Sequence, residues 1–208
     1  MSAFRTLLLV TAACALCGCA GMSEQACQSS DWKTVGFEDG TQGRPVGTIG
    51  RYQQACSKHG VAPNLERYRA GYAEGVREYC RASRGFQVGQ SGATYQGVCP
   101  PDMEPAFLAQ YNSGHHLYEL ESAVRSVENR IASDRRAQVN IKKRLTTIGL
   151  TIADSKTAPK ERVSLVAEVA DLGRRYGELS KEIQTLQKQQ AANELALDDY
   201  RATLSSGA

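Results

Sequence analysis

Aromatic residues are scarce in this chain: one Trp and four Phe among 208 residues leave little material for a large aromatic core. Charge of one sign is scarce as well. A formal net charge of +3 leaves no electrostatic footprint for a nucleic acid, so no nucleic-acid partner is expected. The apolar run from Leu7 to Leu16 is too short to cross a bilayer as a helix, which takes about 20 residues. No serine or threonine has a recognisable nucleophile setting. Between Pro105 and Pro159 there is no proline, so nothing in that stretch forbids a long helix.

What is present begins with an address. Met1 to Thr6 carries one cation, Arg5, and the apolar run follows it, so residues 1–18 read as a cleavable export signal. The end of that run, Leu16-Cys17-Gly18-Cys19, resembles the lipobox of bacterial lipoproteins. The resemblance implies cleavage before Cys19, diacylation of its sulfur and acylation of the new amino terminus, which makes Cys19 the lipid-attachment residue. Cys14 also follows small residues but lacks a branched residue three positions before it, and is the weaker candidate. Three acyl chains exceed the two signals that stable anchoring takes. Ala20 rather than Asp follows the acylated cysteine. By resemblance to enterobacterial lipoproteins, this implies the periplasmic face of the outer membrane. Residues 19–30 form a short lipid-anchored tether.

Loss of the signal removes Cys14 and Cys17, and acylation consumes Cys19. Four cysteines remain, Cys27, Cys56, Cys80 and Cys99. An even number in an oxidising compartment predicts two disulfides, with three possible connectivities. Cys27 with Cys56 and Cys80 with Cys99 is preferred, because each pair closes a local loop worth roughly 3 kcal/mol in the chain-entropy model. None of the four stands at the spacing of a structural zinc site. No metal and no cofactor is expected.

Residues 31–103 form a cysteine-framed module. The block Gly36-Phe37-x-Asp39-Gly40 recurs as Gly71-Tyr72-x-Glu74-Gly75, and Tyr-x-x-Gly occurs at Tyr68 and again at Tyr111. Glycines four apart on one helical face let a second backbone approach, at a helix cost of about 1 kcal/mol each relative to alanine. Short helices are predicted over 31–42, 47–58 and 64–80, the last opened by Pro63-Asn64, in preference to a string of turns in which the glycines supply positive φ. From Gly85 to Pro100 the glycine content predicts a small β-hairpin instead, with runs Phe86–Val88 and Thr94–Val98 and a tip at Gln90–Gly92. That stretch lacks both the dinucleotide-loop context and a phosphate-loop Lys-Ser or Lys-Thr pair.

These residues resemble a family of bacterial outer-membrane lipoproteins grouped only as a domain of unknown function. The resemblance covers about residues 19–120. It rests on Cys27, Asp31-Trp32, Gly36, Asp39-Gly40, Gly43, Cys56, Gly60, Tyr68, Gly71, Gly75, Tyr79-Cys80, Tyr95-x-Gly97-Val98-Cys99-Pro100 and Tyr111-x-x-Gly114. It implies a signal, a lipid anchor and an unassigned function, and it adds no catalytic residue.

Residues 104–208 carry a 3,4 apolar spacing. It runs Leu117, Leu120, Val124, Val127, Ile131, Asp134, Gln138, Ile141, Leu145, Ile148, Ile152, and resumes as Leu165, Val169, Leu172, Tyr176, Leu179, Ile183, Leu186, Gln190, Asn193, Leu197, Tyr200, Leu204. A turn over 153–159, with Thr157 as cap and Pro159 in the first helical turn, joins the runs into an antiparallel coiled-coil hairpin. A pair of surface helices packed on the module is the rival arrangement; the narrow stripe and its charged flanks favour the projecting hairpin. With the turn centred between 155 and 156, facing positions sum to about 311. This sets Gln138 near Leu172 or Gly173 and Asp134 near Tyr176, whose hydroxyl would partner the seam carboxylate and fix the register.

The fold expected is therefore mainly α, a disulfide-stapled Gly/Tyr-rich helical module with a short β-hairpin, followed by the long antiparallel hairpin. Trp32, Asp39, Glu74 and Tyr95 are the module's possible interaction surface. His115 and Glu119, four apart on a helix, make two ligands, which is not a metal site. Asp39 and Glu74 would be the carboxylates of a cell-wall hydrolase, but pairing with Arg44, Arg67 or Arg77 is the ordinary fate of such residues. The function expected is a non-catalytic envelope lipoprotein held by its acyl chains and engaging a protein partner through the hairpin. The alternative is an enzyme acting at the cell wall, or an inhibitor of one.

Overall fold

Residues 22–206 are described by a computed structural model of the chain. The signal segment, Cys19 and Ala20 lie outside the described residues. Among those residues all regular structure is helical: seven α-helices, one 3-10 turn and no strand. They form two compact units, residues 22–88 with 93–112, and residues 89–92 with 113–206.

In the first unit, short polar side chains start three of the early helices by taking their unpaired N–H groups. The Ser23 hydroxyl accepts from the Ala26 N–H at the start of α1 (Glu24–Ser29). The Asp31 carboxylate accepts from the Lys33 N–H at 3.2 Å and the Thr34 hydroxyl at 3.0 Å, opening α2 (Trp32–Thr41). A 3-10 turn (Val46–Thr48) leads into α3 (Ile49–Ser57). Asn64 then accepts from the Arg67 N–H at 2.9 Å to open α4 (Leu65–Tyr79), as the Pro63-Asn64 signal predicts.

The glycine spacing explains how α2 and α4 pair. A Cβ on Gly40 would stand 2.7 Å from both the Tyr72 carbonyl oxygen and the Val76 nitrogen. One on Gly36, Gly71 or Gly75 would overlap the carbonyl oxygen of Tyr68, Lys33 or Phe37 respectively. Contact positions rise together along both helices, so the helices run parallel, with the two repeated blocks face to face. Only glycine allows that approach, and the packing it permits offsets the helix cost of about 1 kcal/mol per residue.

The β-hairpin expected from 85 to 98 does not form. Residues Ala82–Gln90 are the helix α5, and no strand follows it. The glycines misled here because they serve packing: a Cβ on Gly85 would overlap the Phe107 carbonyl oxygen, the same kind of close approach as in α2 and α4. In the segment after α5, a side chain takes over the work of a strand ladder. The Tyr95 hydroxyl accepts from the Cys99 N–H at 2.9 Å and donates to Glu104 Oε1 at 2.8 Å.

Two disulfides close the unit, Cys27–Cys56 and Cys80–Cys99, each with Cα atoms 5.6 Å apart. Each sits in its own buried cluster. Cys27 and Cys56 pack with Trp32, Ile49 and Tyr68, and Cys80 and Cys99 with Val76, Tyr79, Val88 and Phe107. Tyr72 packs against both clusters.

The helix α6 (Glu104–Ala153) begins in the first unit and continues through the second, where α7 (Pro159–Ser206) lies antiparallel to it. Arg130 pairs with Glu182 at 2.7 Å and Arg144 with Glu168 at 2.7 Å, and in both pairs the residue numbers add to 312. Every residue of the 3,4 stripe is buried or half-buried except Val169, which is 37% exposed. The helices break where the sequence predicts, but Thr157 caps the opposite end. Its hydroxyl donates to the Thr151 carbonyl at 2.6 Å, and Arg162 donates to the carbonyls of Asp154 and Thr157. Pro159 has no N–H to offer a cap, whereas the last carbonyls of α6 are without helical partners.

Candidate functional site

The most concentrated polar arrangement in the first unit surrounds Asp39, a residue of α2 that is only 2% exposed. Its position one residue before the close-packed Gly40 carries the carboxylate inward. Three donors meet it there: the Tyr68 hydroxyl on Oδ2 at 2.8 Å, and on Oδ1 Arg44 Nη1 at 2.9 Å and the Tyr52 hydroxyl at 3.2 Å. A buried carboxylate is stable only with such partners. The backbone around Arg44 is held too, its N–H donating to the Asp39 carbonyl and its own carbonyl accepting from the Tyr72 hydroxyl at 2.8 Å.

Burial, ahead of the bond to Asp39, pushes the Tyr68 hydroxyl far above the ordinary tyrosine range. Burial and then the Asp39 charge raise Tyr52 and Tyr72 as well. Each hydroxyl is thereby kept as a donor. The cluster orders the centre of the first repeat, with its carboxylate enclosed.

The residues expected to form one surface are not brought together as one. Trp32 is 6% exposed and packs against Tyr52, with ring centroids 6.0 Å apart, so it belongs with Asp39 in the core. Its position directly after the Asp31 cap turns it under α3. Glu74 is on the surface in an ion pair with Lys33 at 2.8 Å. Tyr95 is half-buried, and burial together with its bond to Glu104 pushes its hydroxyl up to about 12. Asp39 is thus enclosed, while Glu74 is on the surface.

The sequence carries a signal for Tyr52. Tyr-x-x-x-Cys occurs at Tyr52–Cys56 and again at Tyr95–Cys99.

In the second unit, His115 and His116 both face Glu119, at 3.4 and 3.6 Å. Among the described residues no three His, Cys, Asp or Glu side chains converge as a metal would need. Asp134 lies in the seam at 5% exposure, but the expected hydrogen bond to Tyr176 is not made. Oδ1 stands 3.4 Å from Arg130 Nε on the same helix, and Oδ2 has no hydrogen-bond partner. The Tyr176 ring lies under Lys142 instead, 5.4 Å from its ammonium. Gln138 reaches Ser180 at 2.8 Å rather than Leu172 or Gly173. A guanidinium also tied to Glu182 draws the carboxylate along α6, and the sum of 312 keeps facing residues within one position of the expected register.

Residues 31–116 match the model of a family described as "Protein of unknown function (DUF2799)". The match starts at the Asp31 cap and takes in both disulfide-closed halves of the module except Cys27. No curated protein and no solved structure matches the chain. Among the described residues no helix is long and apolar enough to cross a membrane.

Proposed function

We propose that the chain is a non-catalytic envelope lipoprotein, acylated at Cys19 and held on the periplasmic face of the outer membrane, that engages a protein partner through its helical hairpin. The observation that carries this reading is the exposure of large apolar residues beside the α6–α7 turn, Leu150 at 71%, Val163 at 72% and Val166 at 59%. They lie outside the seam, contribute nothing to its packing, and are the residue types that mark contact surfaces when they cluster. The enclosure of Asp39 supports the non-catalytic part, since the best-placed carboxylate of the module is spent on internal donors.

Photo-crosslinking in living cells from positions 150, 163 and 166, with 128 and 181 as controls on charged faces, tests the partner. A discrete adduct confined to the first three is expected; none at any of them, or equal labelling everywhere, overturns it. Mass spectrometry tests the anchor, which fails if the peptide beginning at Cys19 carries no acyl mass. Digestion of cell wall by the purified protein, lost in Asp39→Asn, would restore the enzyme reading.

A further inference from the structure

Residues 27–118 contain two disulfide-closed halves built on one plan. Gly36, Gly40 and Gly43 correspond to Gly85, Gly89 and Gly92, each 49 residues on. Tyr68, Tyr72, Gly75 and Tyr79 correspond to Phe107, Tyr111, Gly114 and Tyr118, each 39 residues on. The contacts correspond as well as the spacing. Tyr68 and Tyr72 stack at 6.2 Å and 17°, and Phe107 and Tyr111 at 6.2 Å and 13°. The Tyr72 hydroxyl donates to the Arg44 carbonyl at 2.8 Å, and the Tyr111 hydroxyl to the Ala93 carbonyl at 3.0 Å. Gly43 and Gly92 both take left-handed φ, 67° and 74°, and each is closed over by a tyrosine ring, Tyr79 or Tyr118.

Duplication creates a problem of identity. A glycine-faced helix accepts any backbone of the right shape, so α2 against α6 and α5 against α4 are sterically available mispairings, within one chain or between two copies. The cysteines preceding these helices would then close as Cys27–Cys99 and Cys56–Cys80. The halves differ at three linked positions. Asp39, Arg44 and Tyr68 in the first stand where Val88, Ala93 and Phe107 stand in the second. Asp39 and Tyr68 are joined by a hydrogen bond of 2.8 Å, whereas Val88 and Phe107 share one buried apolar cluster. The second half keeps the common architecture without the polar set, so that set is not required by the architecture.

We infer that the Asp39–Tyr68 pair is a pairing key, a polar contact that makes α2 select α4 and thereby directs the two disulfides. In a mispaired module Asp39 would face a phenyl ring and lose the hydroxyl on Oδ2, and the Tyr68 hydroxyl would face valine with no acceptor. Buried groups left unsatisfied in this way are what penalises the wrong partner. The key acts by exclusion, as seam polar residues do in coiled coils.

The test is oxidative refolding. Purified mature protein is reduced and denatured, left to reoxidise in a glutathione buffer, and its disulfides are mapped by mass spectrometry of unreduced digests. The unaltered protein is expected to recover mainly Cys27–Cys56 and Cys80–Cys99. The double variant Asp39→Val with Tyr68→Phe copies the residues of the second half and is expected to fold, with roughly fivefold or more of the crossed pairs. Adding Val88→Asp, Ala93→Arg and Phe107→Tyr moves the key to the second half and should restore fidelity. Should the double variant fail to fold, Tyr68→Phe alone, which removes one hydroxyl, is expected to raise the crossed pairs by a smaller factor. Wild-type fidelity in the folded double variant, or in Tyr68→Phe if that variant is the one that folds, overturns the inference.

Discussion

Gly71 meets the Lys33 carbonyl so closely that the smallest side chain has no room, and a methyl group there must drive two backbones apart. Gly71→Ala should therefore destabilise the protein by about 1–3 kcal/mol, the usual range for overpacking. Gly173, in α7, has open space around it, so Gly173→Ala should stabilise by about 1 kcal/mol through helix propensity alone. Urea midpoints moving in opposite directions would confirm both. Asp39→Ala leaves two buried or half-buried hydroxyls without their acceptor, while the half-exposed Arg44 turns to water, and a loss of about 1–3 kcal/mol is expected from the same measurement. The tyrosines set an alkaline limit. Tyr95 is held protonated up to about 12 in the folded chain against an ordinary value of 10.0, and Tyr52, Tyr68 and Tyr72 are raised too. An acid whose folded value is raised stabilises fully below its unfolded value and loses that contribution as pH climbs toward the folded one. Unfolding free energy should thus hold up to about pH 10 and fall between there and about pH 12, with a shallower fall in Tyr95→Phe.

The α6–α7 pair carries one element-scale cost, the Asp134 carboxylate with an oxygen that has no hydrogen-bond partner in a seam otherwise filled by Val127, Ile131, Ile183 and Leu186. Arg130 contacts that carboxylate but is also paired with Glu182, so the arginine keeps a partner if Asp134 is removed. Replacing a poorly partnered buried charge by an apolar side chain of similar size is often stabilising by about 1–4 kcal/mol, and Asp134→Leu should raise the stability of the hairpin within that range. A fall in its thermal midpoint would mean that the carboxylate is better satisfied than the geometry describes.

At the scale of the whole molecule, covalent closure and helical length are divided between the units. Both disulfides lie in the first unit, and residues 113–206 contain no cysteine. Reduction should cost the first unit about 3 kcal/mol per bridge in the chain-entropy model and leave the α6–α7 seam untouched. Since α6 and α7 hold 50 and 48 residues, far-UV circular dichroism after reduction should retain most of its helical signal, while near-UV tyrosine and tryptophan bands weaken. Loss of the far-UV signal in parallel with the near-UV bands would show that the helical pair depends on the module's closure.

Features that depend on local chemistry or on a long period were readable from the residues alone. The 3,4 stripe recurs often enough for its average to survive Asp134 and Gln138, so the two long helices and the break at 154–158 were legible. The parity of the cysteines made two disulfides legible too, with the local pairing preferred among three, and the Gly-x-x-x-Gly blocks allowed two backbones to meet. Residues whose meaning depends on what faces them acquired their use only from three-dimensional contacts. Gly85 has the same composition context as a turn glycine, and only the structure shows it inside a helix with the Phe107 carbonyl against it. Asp39 and Trp32 read as surface candidates because a single sequence does not reveal that Tyr52, Tyr68 and Arg44 gather around the carboxylate. Asp134 shows the same limit at finer scale: the period places it in the seam, but whether it turns across to Tyr176 or along its own helix to Arg130 is settled by a few ångströms of side-chain reach.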